Sequence, residues 1–454
     1  MMHRFLLCLL SLFIFGCGKP SAPSWDLILV SVDTLRADRL PFYGHNRATA
    51  GDVDELGTPA WLANNGVVWE NCWAPAGKTL PSLGTFWTGL DPLEHGGLSN
   101  RHVVTGKSVA ESFQSLGFAT HAAVANLSLS PACGLARGFD SYVVLAREQE
   151  PKIPRYLLSK AEMPIAQGES LLLWAHFMAP HQPYSPPAFS KGTWSDLSGP
   201  PGNHELIGGV HRNPATLTPE LRAHLRGLYD EEILATSLWI QEFLAGLDSF
   251  YRNAGRGGLL DNARVVFFSD HGEELGDRLG YFPHAKSLYS GVIRVPLAVA
   301  GLGVEQGKRI QESLGLGHVL PHVLGEDIDA GETFFSSWFG EFFSVREEDW
   351  TLIHNPGSDS FGPREPPRDV PYPYPDFALF NRRVDPLEQK NVASDYPEVT
   401  DSLLRSLYQW YGNLKLVEPG VPEGLDPSVL AELGYPESLV GSAHVPWPDR
   451  EGPR

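Results

Sequence analysis

The stretch ARVVFFSDHG, residues 263–272, drives an almost unbroken apolar run into Asp270 and His271. A continuous apolar run of this length suits a strand buried on both faces, the pattern of parallel sheets. The pattern recurs outward from it. DLILVSVD (26–33) closes on Asp33, FATHAAVAN (118–126) on Asn126, SLLLWAHF (170–177) reaches His176, and IRVPLAVAG (293–301) ends at Gly301. Helical patterns lie between these runs, at 109–117 and, longest, at 218–255. Strands alternating with helices predict a doubly wound α/β domain with a mostly parallel sheet. We place it over residues 25–350. In such sheets ligands collect at the carboxyl ends of the strands. Asp33, Asp270 and His271 occupy such ends and are expected to converge.

The composition shifts after about residue 350. Residues 354–377 are rich in Pro and Gly and read as a surface loop, and 378–414 as a short strand, a turn and a helix. A smaller C-terminal α+β subdomain with a Pro-punctuated tail is therefore expected over 351–454. Apolar residues make up 42% of the chain and charged residues 20%, as in globular proteins with a real core. The formal charge of −19 repels nucleic-acid backbones, and no run of Lys or Arg offsets it.

His3 and Arg4 give a short, weakly basic start, followed by FLLCLLSLFIFG (5–16), too short for a comfortable membrane span. With IFGC (14–17) it resembles a bacterial lipoprotein signal, which implies lipidation of Cys17. The alternative is a simple secretion signal. The lipoprotein reading implies an exported protein, periplasmic or at the cell surface, held to the membrane by an N-terminal lipid anchor. Residues 1–17 would be the signal and 18–24 a flexible tether. Beyond the signal only Cys72 and Cys133 remain, either as a disulfide or as two buried thiols.

Each motif also has an ordinary structural reading. Asp33 after a buried strand can bind a metal or cap a turn. Asp270-His271-Gly272 is good turn chemistry, but adjacent oxygen and imidazole donors also suit Zn²⁺ or Mn²⁺. Thr79, in AGKTLPSL (76–83), precedes a helical stretch with Pro81 in its first turn. A hydroxyl there lies beside free N–H groups and the positive dipole end, which bind phosphate or sulfate oxygens. A divalent metal would lower its pKa and make it a nucleophile. Lys78 beside it reads as a surface lysine.

Taken together the segments resemble the sulfatase branch of the alkaline phosphatase superfamily over nearly the whole mature chain. LILVSVDTLRADRL (27–40) is similar to that family's first strand and turn, and the segment around Thr79 to its nucleophile region. WAHFMAPHQPYSPP (174–187), VVFFSDHGEELGD (265–277) and HAKSLYSGVIRVPL (284–297) follow in the family's order. The resemblance implies a metal-dependent ester hydrolase. Asp33, Asp270 and His271 would hold one divalent ion (Zn, Mn, Ca or Mg), with Thr79 bound to it as nucleophile. Lys286 and His181 would contact the transferred group or the leaving oxygen, and Asn100 the anion. His284 and His176 are weaker substrate-binding candidates, for which a structural role is the alternative.

The departures bear on the reaction. Sulfatases carry Cys or Ser in Cys/Ser-x-Pro-x-Arg, oxidised to formylglycine. Here Thr79 stands at the nucleophile and Leu83 at the Arg. Thr34 stands where a second Asp is usual, and Ala179 replaces the Asp of Asp-Pro-His. A Thr sulfate ester lacks the exit that formylglycine hydrate provides, whereas a Thr phosphoester can be attacked at phosphorus. A small-molecule, glycan or lipid phosphoester is the expected substrate. The alternatives are a sulfuric ester hydrolase, a phosphoglycerol- or phosphoethanolamine-type transferase, and a non-catalytic binding protein that keeps the fold.

Overall fold

Eight strands form the main sheet of the computed structural model, which describes residues 23, 25–278, 281–284, 287–326, 331–339, 342–355 and 377–422. Their spatial order is Lys308–Ile310, Gly66–Trp69, Leu297–Gly301, Ala263–Ser269, Asp26–Val32, Leu171–Phe177, Ala119–Val124 and Ser141–Val144. The central strand Asp26–Val32 is parallel to both neighbours, with Val32 level with Phe177 on one side and Ser269 on the other. Their carboxyl ends therefore open on one edge. Leu297–Gly301 departs from the parallel pattern and runs antiparallel to both of its neighbours. Its apolar run reflects burial on both faces, which does not encode direction.

The sheet is covered on both sides, as its apolar strands require. Leu27 and Leu29 face one apolar cluster with Leu80, Leu83, Phe86 and Trp87 of the helix Thr79–Thr88. Ile28, Val30 and Val32 face the other, with residues of the helices Ile153–Gln167 and Pro219–Asn253. Each fully buried side chain of this kind contributes roughly 1.5–3 kcal/mol. Phe86 stacks on Phe268 with ring centroids 4.1 Å apart. That contact ties the helix that begins at Thr79 to the strand that leads into Asp270.

A second, antiparallel sheet takes the strands Thr333–Trp338, Phe342–Glu347, Trp350–His354 and Phe377–Asn381. Its first two strands precede residue 350, where the composition changes. One face packs on Trp73, Leu288 and Val292 of the main domain. The other is covered by Leu403 and Leu407 of the helix Pro397–Asn413. Cys72 and Cys133 are buried free thiols. The expected leader with Cys17, most of the loop 354–377 and the end of the tail lie outside the described residues. Among the described residues no helix is long and apolar enough to cross a membrane.

Candidate active site

Asp33, Asp270 and His271 converge at the carboxyl ends of adjacent strands. Asp33 continues Asp26–Val32, its backbone N–H bonded to Phe177 O at 2.8 Å. The chain then reverses through Thr34 at φ +56°, a left-handed conformation that costs a β-branched residue about 1–2 kcal/mol. Tyr229 Oη holds the turn by donating to Thr34 O at 2.6 Å. Thr34 N–H donates in turn to Asp270 Oδ1 at 3.3 Å.

The ligand atoms of Asp33, Asp270 and His271 all lie within 4.8 Å of one another, and all three residues are buried. Asp33 Oδ2 accepts Asn126 Nδ2 at 2.7 Å and Thr79 Oγ1 at 3.3 Å. Asp270 Oδ1 accepts the His271 N–H at 2.9 Å. His271 Nδ1 lies 3.0 Å from Gly272 O. A carbonyl only accepts, so Nδ1 carries the proton and Nε2 is a bare lone pair. Asp33 Oδ1, Asp270 Oδ2 and His271 Nε2 have no hydrogen-bond partner. Leaving one buried polar atom unpaired costs about 1–3 kcal/mol, more when it is charged.

The electrostatics point the same way. Burial, and then the Asp33 charge, push the Asp270 carboxyl well above its usual range. Burial also acts against Asp33, but His176, with Nε2 3.5 Å from Oδ2, and the nearby rings of His181 and His271 outweigh it and hold Asp33 low. Without a cation the pair cannot hold two full charges. One divalent ion among Asp33 Oδ1, Asp270 Oδ2 and His271 Nε2 would satisfy all three atoms, and the two-oxygen, one-imidazole set suits Zn²⁺ or Mn²⁺.

Thr79 is the first residue of its helix, after Lys78 in extended conformation. Asn100 Oδ1 accepts the Leu80 N–H at 3.0 Å and so braces the helix start. Lys78 is not at the surface: only 4% of it is exposed, and its Nζ lies 4.9 Å from the centroid of the Phe339 ring. Its charge adds to the burial that holds His271 and His284 below the usual imidazole range. Leu83 is fully buried in the apolar cluster.

His181 and His284 are placed together, ring centroids 5.0 Å apart, and His284 lies 4.4 Å from His271. Burial lowers His181 to about 4, and His284 further below its ordinary value. His284 Nδ1 lies 3.4 Å from Glu273 Oε1. His176 is fully buried, with Nδ1 2.8 Å from Ser31 Oγ and Nε2 3.5 Å from Asp33 Oδ2. Ala179 brings no carboxylate; instead the Met178 and Ala179 N–H groups are gathered by Glu150 Oε2 at 2.9 and 3.1 Å. Lys286 lies outside the described residues.

Three groups of the site were not selected from the sequence. Asn126 ends a buried strand as Asp33 does, a signal that could have marked it. Lys78 reads as exposed in the sequence and is buried in the structure, because burial of a lysine has no sequence signature. Glu273, in SDHGEELGD, stood in view without its partners.

A family model described as Sulfatase matches residues 26–325, well over half of the chain. A choline-sulfatase from Rhizobium meliloti (strain 1021) is 24% identical over 202 residues, 42% of this chain. The match spans 38% of that relative's length. Among solved structures, the phosphonate monoester hydrolase of Agrobacterium radiobacter aligns with a TM-score of 0.63 at 16% identity, over 85% of this chain and 95% of that one. A 2-O GAG sulfatase aligns with a TM-score of 0.64 at 17% identity, over 89% and 99%. These structures share the fold, with its mostly parallel main sheet and separate antiparallel sheet. The family match takes in the whole main sheet and every strand end described above, and the chain belongs to the sulfatase family.

Proposed function

We propose that this chain is an exported, metal-dependent ester hydrolase in which Thr79 is the nucleophile and phosphoesters are the preferred substrates. The observation that carries the reading is the Thr79 hydroxyl at a helix start, 3.3 Å from an oxygen of the buried Asp33–Asp270–His271 cluster. Asp33, Asp270 and His271 would hold the divalent cation, which when bound supplies charge stabilisation and a lowered hydroxyl pKa.

Thr79 Oγ1 attacks phosphorus and passes its proton to Asp33 Oδ2, to which it already donates. The P–O bond to the alcohol breaks, and the leaving oxygen takes up a proton from solvent water. Water then attacks phosphorus and gives a proton to the neutral His181–His284 pair; the bond to Thr79 Oγ1 breaks, Oγ1 regains its proton from Asp33 Oδ2, and inorganic phosphate departs. Lys78 and Asn126 face the charge that develops on the phosphoryl oxygens. Lys286 and Asn100 keep the anion-contacting roles that the family resemblance implies, and His176 steadies Asp33. The lipid anchor at Cys17 belongs to the same proposal.

A sulfuric ester hydrolase is the second reading, favoured by the choline-sulfatase likeness. The test is a paired assay on an aryl phosphate monoester, a phosphodiester and a sulfate, with the wild type and Thr79→Ala. Faster cleavage of the sulfate than of both phosphates overturns the phosphoester preference. Full activity of Thr79→Ala on every ester overturns the nucleophile.

A further inference from the structure

We propose that Glu273 is a positioning residue of the site, holding the His284 ring through Nδ1 so that Nε2 is the atom presented to a bound ester. The inference rests on the ester-hydrolase reading above and deepens it.

Glu273 is fully buried, and burying a carboxylate is costly unless it is well bonded. Its Oε1 lies 3.4 Å from His284 Nδ1 and accepts the Gln182 N–H at 3.4 Å. Its Oε2 accepts the Tyr184 hydroxyl. Its backbone is fixed from behind, since Arg36 Nη1 donates to Glu273 O at 2.8 Å. One carboxylate thus joins three segments: the loop of Asp270 and His271, the loop of His181, and the segment that carries His284. With Nδ1 turned to Glu273, the other ring nitrogen is left to accept a proton from the attacking water. Such partners behind a reacting imidazole set its orientation and its proton-bearing atom.

The test is a double-mutant cycle of Glu273→Ala and His284→Ala on an aryl phosphate and an aryl sulfate, with Mn²⁺ or Zn²⁺ present. Glu273→Ala is expected to lower kcat about 100-fold while KM changes less than about threefold. Glu273→Gln, which keeps a hydrogen-bonding atom at the same place, is expected to recover most of that loss. In the His284→Ala background, Glu273→Ala is expected to cost less than about threefold more. Additive losses, or equal losses in Ala and Gln, overturn the proposal. The ¹⁵N resonances of His284 separate this from failure of the hydrolase reading. If the wild type turns over none of the esters, a bonded Nδ1 signal that is lost in Glu273→Ala and kept in Glu273→Gln still supports the positioning role. A His284 spectrum unchanged in Glu273→Ala overturns it, whatever the activity.

Discussion

Thr79 Oγ1 donates to Asp33 Oδ2 across 3.3 Å, although the two residues lie 46 positions apart. The same oxygen accepts Asn126 at 2.7 Å, while Asp33 Oδ1 has no partner. The carboxylate is therefore divided, one oxygen turned to the hydroxyl and the other to the cation cluster. Thr79→Ala is expected to lower kcat on the best aryl ester by at least about 10³-fold, and Thr79→Ser by no more than about tenfold. Initial rates at saturating ester check this, and near-wild-type turnover by Thr79→Ala refutes it.

Cation removal should destabilise the protein as well as silence it. Two buried carboxylates face each other with unpaired oxygens. In chelator, Asp270→Asn is expected to unfold at a higher temperature than the wild type, because residue 270 no longer has to take up a proton to be buried beside Asp33. With excess Mn²⁺ or Zn²⁺ the order should reverse, since only the wild type keeps the full ligand set. Thermal unfolding with and without cation decides it. The wild type melting above Asp270→Asn in both conditions contradicts this account.

How much of this was legible in the sequence follows from range. A buried strand that ends in Asp or His is a local pattern, so Asp33, Asp270 and His271 could be named from it. Thr79 as a helix start was equally local. Long-range facts were not: Leu297–Gly301 reads as apolar whichever way it runs, and Lys78 is buried beside Phe339, far along the chain at the end of the strand Thr333–Trp338. Glu273 acquires meaning through Tyr184 and His284, brought to it by two separate loops. The fold was readable because burial repeats along the chain. The supporting groups of the site were not, because each depends on one contact made by folding.

Lys78 tests whether charge next to the nucleophile matters. It is buried at 4% exposure, and its charge reaches His271 and His284. Lys78→Met is expected to reduce kcat/KM on an aryl phosphate by about 10–100-fold, and Lys78→Arg by less. Competitive inhibition by inorganic phosphate should weaken in parallel. Unchanged inhibition in Lys78→Met removes Lys78 from the anion site.

His95 links pH to the helix that carries Thr79. Its Nε2 lies 3.2 Å from Pro81 O within that helix, and its Nδ1 accepts the Gly97 N–H at 3.1 Å. Burial lowers its pKa to about 4. The folded state thus holds His95 neutral between about pH 4 and the ordinary value of about 6.5, while the unfolded chain takes up a proton. Its contribution is fully present above about pH 6.5 and falls away as the pH drops toward 4, by on the order of 3 kcal/mol. Denaturant unfolding at pH 7 and 4.5 should show a smaller pH-dependent loss in His95→Asn than in the wild type. Equal losses place the acid sensitivity elsewhere.

Leu83 decides whether the formylglycine motif can be restored by substitution. Family resemblance puts an Arg at this position, but Leu83 is fully buried in the cluster that holds Phe86 and Phe268. An Arg there would carry its charge into apolar surroundings, a loss on the order of 3–5 kcal/mol when no carboxylate answers it. Thr79→Cys combined with Leu83→Arg is therefore expected to unfold at clearly lower denaturant than Thr79→Cys alone, without gaining sulfatase activity. Denaturant midpoints compare the two directly. A double variant as stable as Thr79→Cys would mean that the helix start can admit an Arg. The absence of that residue would then be a matter of chemistry rather than packing. As the cluster stands, an apolar residue at 83 fits the nucleophile proposed at Thr79, because the buried surroundings of Leu83 offer a charged side chain no place.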